Sequence, residues 1–262
     1  MKTATIGRVT LSRFLLGSNP FSGFSHQGTD RDREMVRYYT TARIKEVLFQ
    51  AEKLGIRGIV ARTDHHVMRV LREYWDEGGT LTWCAQTCPG VGPTEMCVAE
   101  AVNGGAKACH IHGGVMDHLV ATGKTDEAKR GVDMCREKGL AAGLAGHNVR
   151  VFEWAEKNLD VDYYMCCYYN PTSREESPEH VHGATELYRD EDRQAMARLI
   201  PTLRKPVIHY KVLGAGRNKP ADAFAFAAKV MRPGDLVCVG VFLGDDSGQL
   251  RQNVELFQKH AG

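Results

Sequence analysis

Eight short apolar runs recur along the chain, and the stretches between them carry apolar residues at helical spacing; this alternation constrains the fold more than any other feature. The runs fall at 14–17, 58–61, 81–86, 106–112, 141–146, 163–168, 206–212 and 236–242. The helical stripes fall at 41–54, 66–75, 94–103, 124–138, 149–158, 190–203, 220–231 and 247–260. In the first of these, Ile44, Val47, Leu48, Ala51 and Leu54 share one side of a 3.6-residue period. Strands that alternate with helices of 10–15 residues build parallel βαβ units. Eight such units favour a closed (β/α)8 TIM barrel over an open doubly wound sheet, and two earlier segments, 4–7 and 8–12, read as an N-terminal β-hairpin or plug. The length of 262 residues matches an undecorated barrel of ~250 residues, so residues 1–262 are expected to form a single domain.

Charge and cysteine usage narrow the function. A net charge of +2 without a basic stripe gives no footprint for nucleic acid or for an anionic membrane surface. The longest apolar stretch, 236–244, is strand-length and too short to span a bilayer, and the first residues lack the apolar run of a signal peptide. Cys84, Cys109, Cys166, Cys167 and Cys238 sit in strand-like runs, Cys135 in a helix-like one, and no C-x-x-C pair occurs. Reduced, buried thiols fit that placement, and with them a cytoplasmic location. The expected partner is a small molecule.

Polar residues gather where the runs end. The second run leads into Arg62-Thr63-Asp64-His65-His66, the fourth ends in His110-Ile111-His112, and the fifth is followed by His147-Asn148. The sixth runs out through Tyr168-Tyr169-Asn170, the seventh contains His209-Tyr210-Lys211, and the eighth leads to Asp245-Asp246. Side chains alternate across a strand, so His110 shares a face with His112, and His209 with Lys211. If those faces point inward, the imidazoles converge at the barrel mouth, where a divalent metal ion (Zn, Mn, Co, Ni or Fe) would find ligands in His112, His147 and His209, with His66 and Asp64 as second choices. The plainer reading is a hydrogen-bonded structural histidine at each position. Lys211 is a candidate desolvated base or Schiff-base amine, or else a partner of Asp245. His65 and Asp64 are candidates for moving protons; Asn19, Arg62, His110, Tyr168, Asn170 and Asp245 for holding substrate. His118, His180, His182 and His260 read as solvated residues. The long loops 18–40 and 170–189 are placed as lids, and the segment 214–219 carries a weak anion-binding signal.

The order of motifs resembles the aldo-keto reductase superfamily. Ile6-Gly7-Arg8-Val9-Thr10-Leu11-Ser12-Arg13-Phe14-Leu15-Leu16-Gly17 looks like its initial hairpin and first strand, and His110-Ile111-His112-Gly113 like the strand that bears its active-site histidine, matched by His112. Ala142-Gly143-Leu144-Ala145-Gly146-His147-Asn148, Tyr168-Tyr169-Asn170 and Gln249-Leu250-Arg251-Gln252-Asn253 are similar to its fifth strand, sixth strand and final helix. The resemblance implies the barrel, and it breaks at the chemistry. Counted without gaps, the family's Asp falls at Val60 and its Tyr near His65, and Trp83-Cys84-Ala85-Gln86-Thr87 offers no lysine. Asp245-Asp246 stand where a 2′-phosphate clamp would be.

The sequence therefore leads to a metal-assisted barrel enzyme, a lyase, isomerase or hydrolase, for a small polyhydroxylated or carbonyl substrate such as a sugar derivative. The alternatives are an atypical NAD(P)-dependent reductase and a non-catalytic barrel with a binding role.

Overall fold

The structure, a computed structural model, describes residues 1–178 and 186–261. Its strands are β1 (Thr3–Ile6), β2 (Val9–Ser12), β3 (Phe14–Gly17), β4 (Gly58–Arg62), β5 (Thr82–Gln86), β6 (Ala108–Ile111), β7 (Ala141–Gly146), β8 (Tyr163–Cys167), β9 (Val207–Tyr210) and β10 (Leu236–Gly240). β3 to β10 pair in parallel and close in the order β10-β3-β4-β5-β6-β7-β8-β9. β1 and β2 form the expected antiparallel hairpin.

Register decides which side chains meet. One strand face packs against helix residues such as Leu48, Val70, Val98, Phe152 and Phe224. The other face, including Leu15, Val60, Cys84, Ala108, Met165, Ile208 and Cys238, packs only on itself and on Ile6, Val9 and Leu11 of the hairpin. That second face is the barrel interior, and the hairpin plugs its N-terminal end. Gly58 makes room for the plug: a Cβ there would stand 2.8 Å from Leu11 Cδ2. Gly143 does the same for the Tyr163 ring, which a Cβ would meet at 2.5 Å. Paired rows of the ladders carry the interior face upward through Arg62 and Gln86, Gln86 and His110, Cys167 and Tyr210, and Tyr210 and Cys238.

Two helices lie where the sequence reading placed none. Thr29–Tyr38 sits inside the first long loop, and Gly113–Thr122 follows β6 directly. The first is densely charged, with only Asp32 and Met35 buried, so it has almost no apolar stripe to read. The second opens on two glycines, poor helix formers, and is held by burial of most of its first seven residues. All eight cysteines are buried free thiols. Among the described residues, no helix is long and apolar enough to cross a membrane.

Candidate active site at the barrel mouth

A two-lobed cleft opens at the C-terminal ends of the strands. The larger lobe, about 400 Å³, lies between the first long loop and the ends of β9 and β10, with Gln27, Arg31, Phe242 and Asp245 on its wall. The smaller, about 240 Å³, lies over β5 to β7 and is walled by Cys88, His112, His147 and Arg174. Asn19, Arg62, Gln86, Tyr210 and Lys211 line both lobes, so these side chains stand at the junction. The lid loops are tied together above it. His26 Nδ1 lies 2.8 Å from Glu186, Gln27 donates to the Ala215 carbonyl at 2.7 Å, and Arg217 donates to the His26 carbonyl at 2.8 Å. Burial would raise the Glu186 carboxyl; the hydrogen bond and charge of His26, with Lys211 and Tyr188, outweigh it and bring Glu186 to about 2.

Tyr210 ends a chain of polar contacts. Asp117, on the helix Gly113–Thr122, accepts from the backbone amides of His147 (3.0 Å) and Asn148 (3.1 Å), and its Oδ2 lies 2.7 Å from His147 Nδ1. A carboxylate only accepts, so Nδ1 carries the hydrogen and Nε2 is left to accept from the Tyr210 hydroxyl at 3.3 Å. Burial lowers the His147 imidazolium from its ordinary value, against the opposing charge and hydrogen bond of Asp117. Burial also pushes the Tyr210 phenol well up, with Cys167 and Asp117 adding to it, so the phenol keeps its proton at neutral pH.

Lys211 reaches the cleft by breaking the strand. On the alternating pattern it would follow His209 to the outside. β9 instead ends at Tyr210, and Lys211 takes the left-handed conformation at φ 55°. For a long L side chain this is a costly backbone state, held by the surrounding fold. Among the described residues, no carboxylate forms an ion pair with its ammonium. Asp245, one candidate partner, is bonded instead to Arg31. Burial lowers the Lys211 ammonium from its ordinary value; Cys167 and Glu186 oppose the shift, and the charges of Arg174 and Arg217 reinforce it.

His112 caps the helix Gly113–Thr122 by accepting the Gly114 amide at Nδ1 (3.1 Å), which assigns the ring hydrogen to Nε2. Burial holds its imidazolium well below the ordinary value, and the charges of His147, Arg174, Arg62 and His110 act in the same direction. Arg62 is fixed by three neighbours: Phe24, whose ring centroid is 4.3 Å away, Asp64 at 3.2 Å, and the Cys88 Sγ at 2.6 Å.

The expected metal centre does not assemble. Among the described residues, no group of three His, Cys, Asp or Glu side chains is placed to hold a metal ion. His112 and His147 share the smaller lobe, with three of their four ring nitrogens already engaged. His209, the third proposed ligand, pairs in register with Val237 and Cys166 on the outward face. It is sealed under the helices, with Nε2 3.3 Å from Asp235 and Nδ1 3.0 Å from the Tyr168 hydroxyl. Among the described residues the expected ligand set of His112, His147 and His209 therefore does not come together, and the steps below use this chain's own side chains.

Other expectations are corrected by the same geometry. His65 and His66 are exposed in the first turn of the helix His65–Asp76, away from the cleft, and Asp64 is that helix's N-cap, accepting from the Val67 amide at 2.9 Å. His110 points inward but lies below the mouth, 3.1 Å from the Tyr163 hydroxyl, and lines neither lobe. Tyr168 faces His209 and Phe226 outside the wall. The Asn170 amide donates to Asp192, and its side chain is absent from the cleft. Asn19, Arg62, Asp245, Lys211, His112 and His147 do line the cleft. In the segment 214–219, Arg217 is spent on the His26 carbonyl and the Tyr188 ring, 4.0 Å from the ring centroid. His118 is half-buried, with Nδ1 2.9 Å from the Arg174 carbonyl, and His260 is exposed. His180 and His182 lie outside the described residues.

Sequence reasoning missed Asp117, Gln86 and Arg174, and named Tyr210 only as the residue between His209 and Lys211. Asp117 had a signal: a lone acid among Val115, Met116 and Leu119, five residues after the strand-end His112. Gln86 had one as well, as the polar residue that ends the third apolar run, and the register pairs it with Arg62. Arg174 lies in an irregular loop whose sequence carries no such periodicity.

No family model matches the chain, and no curated protein matches it. Solved structures do. A Pseudomonas aeruginosa protein described as a "putative aldo-keto reductase" aligns over 100% of this chain and 96% of its own, with a TM-score of 0.64 and 16% identity. A protein described as "QR15, an Aldolase" gives 0.52 over 84% of this chain and 90% of its own, at 14% identity. A truncated 3-deoxy-D-arabino-heptulosonate 7-phosphate synthase from Thermotoga maritima gives 0.55 over 98% and 90%, also at 14% identity. At such identities the likeness shows the fold alone, a (β/α)8 barrel.

Proposed function

We propose that the chain is an enzyme of the lyase or isomerase class, in which the Lys211 amine forms an imine with the carbonyl of a small polyhydroxylated substrate. One observation carries this reading: a lysine held in a strained left-handed conformation turns into a buried cleft where no described carboxylate is its ion-pair partner. Desolvation favours the neutral amine, the form that attacks carbonyls. Nζ bonds to the carbonyl carbon, and the oxygen leaves as water with one proton from the amine and one from solvent. The resulting iminium draws in the electron pair of the adjacent C–H or C–C bond. Tyr210 takes the proton released there while its own passes to His147 Nε2, and Asp117 stabilises the imidazolium that forms. Two lobes meeting at Lys211 leave space on both sides of the bond that breaks. The solved structures of similar fold include a protein described as an aldolase, which agrees with this class.

Sodium borohydride tests the reading. Protein incubated with a panel of small aldehydes, ketoses and 2-oxo acids and then reduced is expected to gain, for at least one member, the mass of the carbonyl compound less one oxygen. Peptide mapping is expected to place the adduct on Lys211, and Lys211→Met is expected to lose it. No adduct at Lys211 across the panel would contradict the proposal.

A second reading, a nicotinamide-dependent reductase, is favoured by the neighbouring positions of the Tyr210 phenol and Lys211 where the two lobes meet. They would replace the proton donor missing after β4. Saturable quenching of protein fluorescence by NADPH or NADH would support it, and no quenching at millimolar cofactor would remove it.

A further inference from the structure

The carboxamide side chains of the cleft divide by position. Gln27 donates to the Ala215 carbonyl at 2.7 Å, and Gln249 accepts from the Phe242 amide at 2.8 Å. Both line the larger lobe only, and both tie a loop in place. Asn19 and Gln86 line both lobes, at the junction they share with Lys211. Their backbone carbonyls accept from the Phe24 and Thr63 amides, but their carboxamides make no hydrogen bond among the described residues. The fold sets Gln86 there. It closes β5 on the interior face, one layer above Cys84, and pairs in register with Arg62. Arg62 would be a ready partner, yet its guanidinium is held by Asp64, Cys88 and the Phe24 ring. Asn19 opens the short 3-10 turn Asn19–Ser22 after β3. Deeper in the barrel, Val60, Met165 and Cys238 give the larger lobe an apolar floor.

A carboxamide offers two N–H donors and an oxygen with two lone pairs, and a hydroxyl both donates and accepts. We infer that Gln86 and Asn19 form a diol subsite, which selects carbonyl substrates that bear hydroxyls on neighbouring carbons. The substrate class is then a ketose or aldose, in preference to a deoxygenated carbonyl compound of the same length. The hydroxyls bond to the two carboxamides, and the C–H side of the same carbons meets the apolar floor. A ligand without those hydroxyls takes water from the carboxamides and gives no hydrogen bond in return, which weakens its binding. Gln86 and Asn19 are thereby specificity-determining residues. The placement of the carbonyl at Lys211 rests on the imine-forming reading; the diol subsite is independent of that chemistry.

Saturation-transfer NMR titrations of the wild-type protein with erythritol and with 1,4-butanediol test the subsite without any chemical step. The two share a carbon chain and its terminal hydroxyls and lack a carbonyl, so only the inner pair of hydroxyls differs. Erythritol is expected to bind about tenfold more tightly, or better. Gln86→Leu and Asn19→Ala are each expected to shrink that ratio by about threefold or more, and Gln86→Asn to retain more of it than Gln86→Leu. If Gln86→Leu fails to fold, Asn19→Ala and the wild-type ratio still decide the matter. No saturable binding of erythritol to the wild type, equal binding of the two, or an unchanged ratio in either folded variant would overturn the subsite. A preference for erythritol without a borohydride adduct would overturn the imine chemistry alone, whereas an adduct on Lys211 without that preference would overturn the diol subsite alone.

Discussion

The barrel contains the same three-residue chain twice. In the outer wall, Asp235, His209 and Tyr168 follow one another at 3.3 and 3.0 Å; at the mouth, Asp117, His147 and Tyr210 do so at 2.7 and 3.3 Å. In each, a carboxylate holds the hydrogen on one imidazole nitrogen and a phenol donates to the other. They differ in what the phenol faces. Tyr168 is closed off beneath helices, with His209 and Asp235 side chains 0% and 1% exposed. Tyr210 lines the cleft, with His147 and Asp117 at 9% and 6%. Strand parity makes the difference, because His209 and Tyr210 are neighbours on β9 and point to opposite sides of the wall. Residue type alone therefore does not separate a structural histidine from a chemical one on this scaffold.

The contrast should appear as a split between stability and rate. The largest effect is expected at Asp235, which also accepts from the Val207 amide at 2.9 Å and binds Arg232. Burial would raise its carboxyl, but His209 and Arg232 outweigh that and hold it well below the usual range. Asp235→Ala strands His209 and Arg232 and is expected to cost about 3–5 kcal/mol, read from the urea midpoint. Tyr210→Phe comes next: turnover on the substrate found by trapping is expected to fall about 10²–10⁴-fold with a nearly unchanged urea midpoint. Tyr168→Phe removes the matching hydroxyl from the sealed chain. It is expected to cost about 0.5–1.5 kcal/mol of stability and to leave turnover intact. Equal rate losses in the two phenylalanine variants would erase the distinction drawn between the chains.

A third buried histidine sharpens the comparison because it has no carboxylate at all. His110 is bonded through Nδ1 to Tyr163, and its Nε2 has no hydrogen-bond partner among the described residues. Burial alone lowers it to about 3. The unfolded value is near 6.5, so protons bind the unfolded chain first as pH falls. The stability this neutral histidine contributes is fully present above about pH 6.5 and is lost towards pH 3, at no more than about 1.4 kcal/mol per pH unit. Thermal melts across that window are expected to fall less steeply for His110→Gln than for the wild type. Parallel slopes would assign the acid sensitivity elsewhere.

Much of the fold was legible because its signal is periodic. All eight barrel strands fall within or overlap the apolar runs, and the hairpin appeared where alternation predicts it. The helices that escaped notice, Thr29–Tyr38 and Gly113–Thr122, lack an apolar stripe or begin in glycines. The site was legible only in part. Strand ends named His112, His147, Arg62 and Lys211, but periodicity carries no absolute phase, so it did not say which face of β9 points inward. That omission produced the metal triad with His209. The left-handed turn at Lys211 was hidden too, since only the surrounding fold sustains φ 55° in a lysine. Asp117 acts from a helix and Arg174 from an irregular loop, beyond the reach of strand-end reasoning.

The central claim is that this turn delivers a readily deprotonated amine into the cleft. Competitive acylation of the native protein from pH 6 to 11, followed by peptide mapping, would follow the titration of Lys211 beside that of the surface lysines. A midpoint for Lys211 clearly below the ordinary ~10.4 is the expected result, with surface lysines near that value. A Lys211 midpoint at or above theirs would show an amine that stays charged, and the imine chemistry would be contradicted.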